Sequence, residues 1–181
     1  MTMRRSLGGA LVLLLAAVLV VVAWSFFQFG RKAPALAPAG ERATEVLVEK
    51  AARRLTLLHD GRVLGTYTVA LGSAPAGPKQ QEGDGRTPEG TYAIDFKNAR
   101  SHFHLALRIS YPNAADRASA RRRGVAPGGD IMIHGLPNGL GWLADLHRQR
   151  DWTDGCVAVT DREIEEIWRV VDVGTAVEIR P

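Results

Sequence analysis

Cys156 is the only cysteine among 181 residues, and it follows a glycine in the run Thr153-Asp154-Gly155-Cys156-Val157. Upstream, His134 closes the apolar run Ile131-Met132-Ile133 and is itself followed by Gly135. A thiol and an imidazole are the working parts of nucleophilic acyl chemistry: the thiolate attacks a carbonyl carbon, the imidazole takes the thiol proton, and backbone amides hold the oxyanion that develops. On this reading Cys156 is the nucleophile and His134 the base. The amides of Gly155 and Cys156 form the oxyanion hole, because a glycine lets a substrate carbonyl approach the backbone closely. Each has a plainer alternative, Cys156 as a small buried hydrophobe and His134 as a satisfied strand-end histidine. The glycine beside the thiol opposes the first.

The segments around these residues say how they are positioned. Ile131 to His134 and Gly155 to Val159 are short apolar runs with polar ends, and both read as strands whose ends meet in one site. Arg54 to Leu58 and Val63 to Val69 flank Asp60-Gly61, a dipeptide suited to a tight turn, and predict a β-hairpin. Tyr92, Ile94 and Phe96 alternate with small or polar neighbours, as do Phe103, Leu105, Leu107 and Ile109, which predicts two more half-buried strands. Asn113 to Arg123, closed by Gly124, predicts a short helix whose final Arg121-Arg122-Arg123 suits the helix dipole. Thr160 and Glu163 make a capping box, and Ile164, Ile167, Trp168 and Val171 share one helical face, so a second helix packs on the sheet with Trp168 as core. Thr175, Val177 and Ile179 supply a last strand. The expected fold class is mainly β with short helices (α+β), a mixed β-sandwich or folded sheet.

Ahead of this domain, Leu7 to Phe29 is a stretch of 23 uncharged residues. At about 1.5 Å per residue such a helix crosses a hydrocarbon core of about 30 Å. Arg4 and Arg5 precede it, Arg31 and Lys32 follow it, and Trp24, Phe26, Phe27 and Phe29 crowd one end. Its length favours an uncleaved anchor over a signal peptide, whose apolar core runs to about 7–15 residues. The organisation expected is an anchor at 1–32, an Ala/Pro-rich linker at 33–44 and a catalytic domain at 45–181, the last on the periplasmic side of a single-pass inner-membrane protein. Removing the four basic residues of positions 1–32 leaves 19 Lys+Arg against 19 Asp+Glu, so the domain is formally neutral and nucleic acid is not an expected partner. A single Cys outside the cytoplasm forms no internal disulfide, so its thiol needs another purpose.

Taken together, the residues resemble the L,D-transpeptidase (YkuD-type) catalytic domains, whose signature is a His-Gly pair followed by Ser/Thr-x-Gly-Cys. Here it reads His134-Gly135, then Thr153-Asp154-Gly155-Cys156, and Thr87-Pro88-Glu89-Gly90 is similar to the family's Thr-Pro-x-Gly strand entry. The resemblance covers positions from about 45 to 181. It implies that Cys156 attacks the carbonyl of the third stem-peptide residue of peptidoglycan, a diamino acid, and expels the terminal D-Ala. A second stem's amine then resolves the acyl-enzyme into a cross-link. It implies further that His134 is oriented by the carbonyl of Gly135, that no cofactor or metal is needed, and that carbapenems acylate the thiol. Asp154 and Ala158 depart from the family, many members having His and Arg there. The run around Cys156 looks like the branch with transpeptidase-like hydrolases that release lipoprotein from peptidoglycan, which adds an envelope lipoprotein as an implied partner.

Arg86, Tyr111, Asn113 and Asp154 are further candidates for contact with a stem peptide, a guanidinium being suited to a substrate carboxylate. Trp142 and Trp152 are candidates to wall the groove. Two readings of other classes stand beside the enzyme: a zinc hydrolase using His102, His104 and His134 with Asp145 or His147, and a wall-binding module without catalysis.

Overall fold

The computed structural model describes residues 40–181. The expected anchor, 1–32, and the linker as far as 39 lie outside the described residues. Eight strands form one sheet in the order β3-β2-β1-β8-β4-β5-β6-β7. They are β1 (Glu45–Glu49), β2 (Arg54–His59), β3 (Arg62–Thr68), β4 (Gly90–Ser101), β5 (His104–Ile109), β6 (Met132–His134), β7 (Val157–Ala158) and β8 (Ala176–Arg180). The helices are α1 (Ala114–Arg123) and α2 (Asp161–Val170), and a 3-10 segment runs over Gly141–Gln149.

The hairpin of β2 and β3 forms where Asp60-Gly61 places it, with both turn residues at positive φ. Its partner β1 alternates half-buried Glu45, Leu47 and Glu49 with fully buried Val46 and Val48, and pairs parallel with β8. β1 is not among the expected strands, because a five-residue strand that pairs with a segment at the far end of the chain leaves only a short local pattern. The fold also takes in the end of the expected linker: Ala43 is buried and donates its N–H to the Val170 carbonyl at 2.8 Å.

Of the two expected forms, mixed β-sandwich and folded sheet, the domain takes the second, a single sheet folded on itself. β4 makes the fold: at its start it pairs with β8, and then along its length with β5. Register shifts between Ile94 and Phe96 and between Asn98 and Ser101 bend it, as extra residues in one strand do. The first shift breaks the expected alternation, so Phe96 turns outward, 49% exposed, against the Arg108 guanidinium, while Tyr92 and Ile94 stay buried. The curl brings the sheet's two edges together. Just past β3, Ala70 exchanges both backbone hydrogen bonds with Ala158 of β7, at 3.0 and 2.8 Å.

Both helices are capped, with Gly124 and the Thr160–Glu163 box in their expected places and an N-terminal box on α1 besides. Asn113 caps α1 in a reciprocal box with Asp116, and Gly124 ends it in the left-handed conformation beside Arg121 to Arg123. Thr160 and Glu163 cap α2, which buries Ile164, Ile167 and Val170 against β5 and β6. Trp168 is only partly buried at the core's edge, where Lys97 lies over its ring and caps the helix by donating to the Trp168 and Val171 carbonyls.

Candidate active site

β6 is three residues long but held on both sides, by β5 with Ala106 opposite His134 and by β7 with His134 opposite Ala158. Extending the β6–β7 ladder one step back sets Cys156 beside Met132, and the side chains of alternate residues share a face. Cys156 and His134 therefore project from one side of two adjacent strands. The Cys156 Sγ accepts the Met132 N–H at 3.4 Å and lies 3.5 Å from the Asp130 carbonyl. His134 is 3% exposed, and its Nδ1 meets the Gly135 carbonyl at 2.6 Å. A carbonyl only accepts, so Nδ1 carries the ring proton and Nε2 is left as the basic nitrogen.

Burial sets the protonation states of both groups. It pushes the Cys156 thiol up to about 11, against the opposing pull of the Met132 N–H, and Asp154 adds to the rise. It holds His134 below the ordinary imidazole value, partly offset by the Gly135 carbonyl. The resting pair is thus a neutral thiol and a neutral imidazole.

The turn before Cys156 is fixed by Thr153, whose hydroxyl donates to the Cys156 carbonyl at 2.8 Å and accepts the Gly155 N–H at 3.2 Å. That second bond bears on the expected oxyanion hole: the Gly155 amide is engaged within the turn, which leaves the Cys156 amide as the donor next to the thiol. Gly155 is required for another reason. Its φ is +130°, and a Cβ there would lie 2.5 Å from the Arg86 carbonyl oxygen. Gly72 packs on the same stack, with the Gly85 carbonyl 2.2 Å from where its Cβ would be.

The Gly83–Gly90 stretch is therefore the floor beneath the turn that carries Cys156. Asp84 organises it by accepting from Lys79 and from the N–H groups of Gln80, Gln81 and Arg86, which together hold its carboxyl near 2 despite burial. Thr87 is fully buried and accepts the Gly72 N–H. Buried Lys50 ties the carbonyls of Gly77 and Thr87 to the Glu89 carboxylate.

Two of the candidate substrate contacts are spent on structure. Tyr111 is 6% exposed, its ring edge-on to Tyr92 and its hydroxyl donating to the Pro127 carbonyl at 2.9 Å. Asn113 gives its side chain to the α1 cap. Arg86 is half-buried with its backbone against Gly155, and Asp154 is exposed, two residues before Cys156. Trp142 is 72% exposed on the 3-10 segment, whereas Trp152 lies edge-on to His134 at 5.9 Å. Phe103, expected inside a strand, sits in the β4–β5 turn with its ring 4.6 Å from that of His134.

The histidines do not gather as the zinc reading requires. His104 pairs with Glu165 at 2.8 Å, His134 with the Gly135 carbonyl, and His147 with Trp152 at 3.4 Å. Among the described residues no group of three or more His, Cys, Asp or Glu is placed to hold a metal ion. Sequence reasoning gave no task to Asp161, which accepts the Leu136 N–H and leaves no room for a Cβ on Gly135 or Gly141. Its position as the first residue of α2, behind the Thr160 cap, was the signal available.

The chain is similar to known proteins in sequence and in fold. The sequence model of the L,D-transpeptidase catalytic domain, YkuD, matches residues 43–179. YafK of Escherichia coli (strain K12), named as an L,D-transpeptidase, is 31% identical over 112 residues, 61% of this chain and 38% of that protein. YqjB of Bacillus subtilis (strain 168), named likewise, is 27% identical over 135 residues, 74% of this chain and 69% of its own. The crystal structure of the helical cell shape determining protein Pgp2 from Campylobacter jejuni superposes with a TM-score of 0.57 at 25% identity, covering 87% of this chain and 54% of that one. Bd1075 of Bdellovibrio bacteriovorus shares the fold, with a TM-score of 0.50 at 22% identity over 81% of this chain and 53% of its own. The chain spans well under half of YafK and about half of Pgp2.

Proposed function

The chain belongs to the YkuD family of L,D-transpeptidase catalytic domains, and from that premise we propose that it is a peptidoglycan acyltransferase in which Cys156 forms the acyl-enzyme and His134 moves the protons. The observation that carries the reading is the β6–β7 ladder, which sets the Cys156 Sγ on the Met132 N–H at 3.4 Å and puts His134 on the same face, its Nδ1 committed to Gly135.

With the carbonyl of the third stem residue against Sγ, the His134 Nε2 takes the thiol proton as the C–S bond forms. The Cys156 N–H holds the oxyanion, and the bare Gly155 Cα leaves room for it. Collapse breaks the C–N bond to the terminal D-Ala, and His134 returns the proton to the departing amine. A thioester remains. The side-chain amine of a second stem attacks it, Nε2 takes the amine's proton, and the thiolate leaves and is reprotonated, which yields the cross-link. Water in place of the amine gives a free carboxylate, the outcome of a hydrolase. The Gly135 carbonyl orients the base, so the mechanism needs no triad carboxylate. An amine of an envelope lipoprotein is a further acceptor, or its linkage to the wall a further substrate. We place this domain outside the cytoplasm, tethered through Leu7–Phe29.

The test is mass spectrometry of tetrapeptide muropeptides incubated with the full chain and with Cys156→Ala. Cross-linked dimers made by the parent alone support transpeptidation, and shortened peptides without dimers make the protein a hydrolase. Identical products from parent and variant would reject Cys156 as the nucleophile.

A further inference from the structure

Among the described residues the His134 side chain has one hydrogen bond, at Nδ1, so beyond that bond and its own Cβ attachment the tilt of the ring and the placing of Nε2 are set by what packs against it. Two aromatic rings lie against it. Phe103 lies at 4.6 Å with the rings tilted by 46°, and Trp152 stands edge-on at 5.9 Å and 71°. Trp152 is held at its backbone from both sides. Asp151 before it takes a two-pronged hydrogen bond from Arg53 and the Leu71 N–H, and Thr153 after it exchanges backbone bonds with Leu71 and Ser73.

The outer end of the indole is held by His147. The Trp152 Nε1–H donates to His147 Nδ1 at 3.4 Å, with the rings nearly perpendicular. The proton of His147 is then on Nε2, and His147 is 8% exposed with no hydrogen-bond partner for that nitrogen among the described residues. A buried polar atom without a partner costs stability, and phenylalanine would fill similar space without it. What an imidazole offers here and a phenyl ring does not is an acceptor for the indole N–H. The segment carrying it is strained as well, since Ala144 is held at φ 42°, ψ −125°.

We propose that His147 and Trp152 are positioning residues, which together hold the His134 imidazole in the orientation that presents Nε2 to Cys156. This rests on the thiol mechanism proposed above. The groups facing His147 are Arg148 and Asp145 on its own segment, His134 on β6 and Asp161 on α2.

The experiment compares the full chain with His147→Phe, His147→Gln, Trp152→Phe and the His147→Phe/Trp152→Phe double variant. Two readouts are used, turnover of tetrapeptide muropeptides and the pH dependence of Cys156 alkylation by iodoacetamide. Circular dichroism and the thermal midpoint establish the folded fraction. His147→Phe and Trp152→Phe are each expected to lower kcat roughly tenfold with little change in KM, as a slightly misplaced base does. The acid limb of alkylation moves to higher pH in both. His147→Gln, which keeps an acceptor, recovers most of the loss, and the double variant is no worse than the worse single one. The proposal is overturned if the folded variants keep the parent's kcat and alkylation profile, if Gln does no better than Phe, or if the two losses multiply. Alkylation needs no stem peptide, so a parent that alkylates normally but turns over no muropeptide would defeat the substrate reading and leave this one standing on its own profile.

Discussion

Burial moves Cys156 and His134 in opposite directions along the pH scale and keeps both uncharged, the thiol up at about 11 and the imidazole below its ordinary 6.5. On the proposed mechanism, a thiolate–imidazolium pair is then formed when substrate arrives and is not stored at rest. On the same mechanism, protonating His134 removes the base. Because its protonated form is disfavoured, activity persists on the acid side: the acid limb of kcat/KM is expected below pH 6.5, and a limb at or above that value would contradict the buried neutral base. Gly155 bears a separate demand. Gly155→Ala meets both a positive φ and the Arg86 carbonyl, and should cost on the order of 3 kcal/mol and most of the turnover. Gly139→Ala has a positive φ but open space around it and should cost about 1 kcal/mol. Urea unfolding of the two variants measures the difference, and equal costs would mean the Arg86 backbone yields.

The elements most legible in the sequence are those specified by neighbours in the chain. Asp60-Gly61 made the hairpin, and Asn113 with Gly124 and Thr160 with Glu163 bounded the two helices, because caps and tight turns are set by residues within four positions of each other. Cys156 and His134 stand out as candidates for a related reason: each sits beside a glycine at the end of a short apolar run. What escaped notice depends on distant pairing. β1 needs β8, the bend in β4 needs register shifts that no alternation announces, and the floor under Gly155 comes from the Gly83–Gly90 turn packed against it. Tyr111 and Asn113 look available in sequence because their partners, Pro127 and the α1 backbone, are supplied only by the fold. The α2 cap gives an element its own test. Thr160→Ala removes a box whose Glu163 carboxylate also receives Arg148 from the 3-10 segment. It should lower stability by about 1 kcal/mol in urea unfolding. A loss below a few tenths would show that the sheet alone holds α2 in place.

Across the domain, β7, the strand that follows Cys156, is clamped between β6 and the Ala70 pair that closes the curl, so the candidate site is built on backbone from both ends of the sheet. The stability of the domain is linked to pH through the same aromatic cluster. His147 is held near 4, chiefly by burial and then by Arg148, against 6.5 for a free imidazole. Between these values the unfolded chain binds a proton that the folded one refuses. Stability is therefore fully present above about pH 6.5 and falls as the pH drops through 4, by a few kcal/mol for a group this well buried. His134 adds a loss of the same sign. Asp84 acts in a lower window: its carboxyl, held near 2 against 3.8, loses its contribution only as the pH falls below about 4. Urea unfolding of the full chain from pH 7.5 to 3 should thus show one decline between about 6.5 and 4 and another beneath it. In His147→Phe the upper decline should shrink while the lower one stays. If the upper decline is as steep in His147→Phe as in the parent, His147 is not the group that charges on unfolding, and the acid sensitivity belongs to His134 alone.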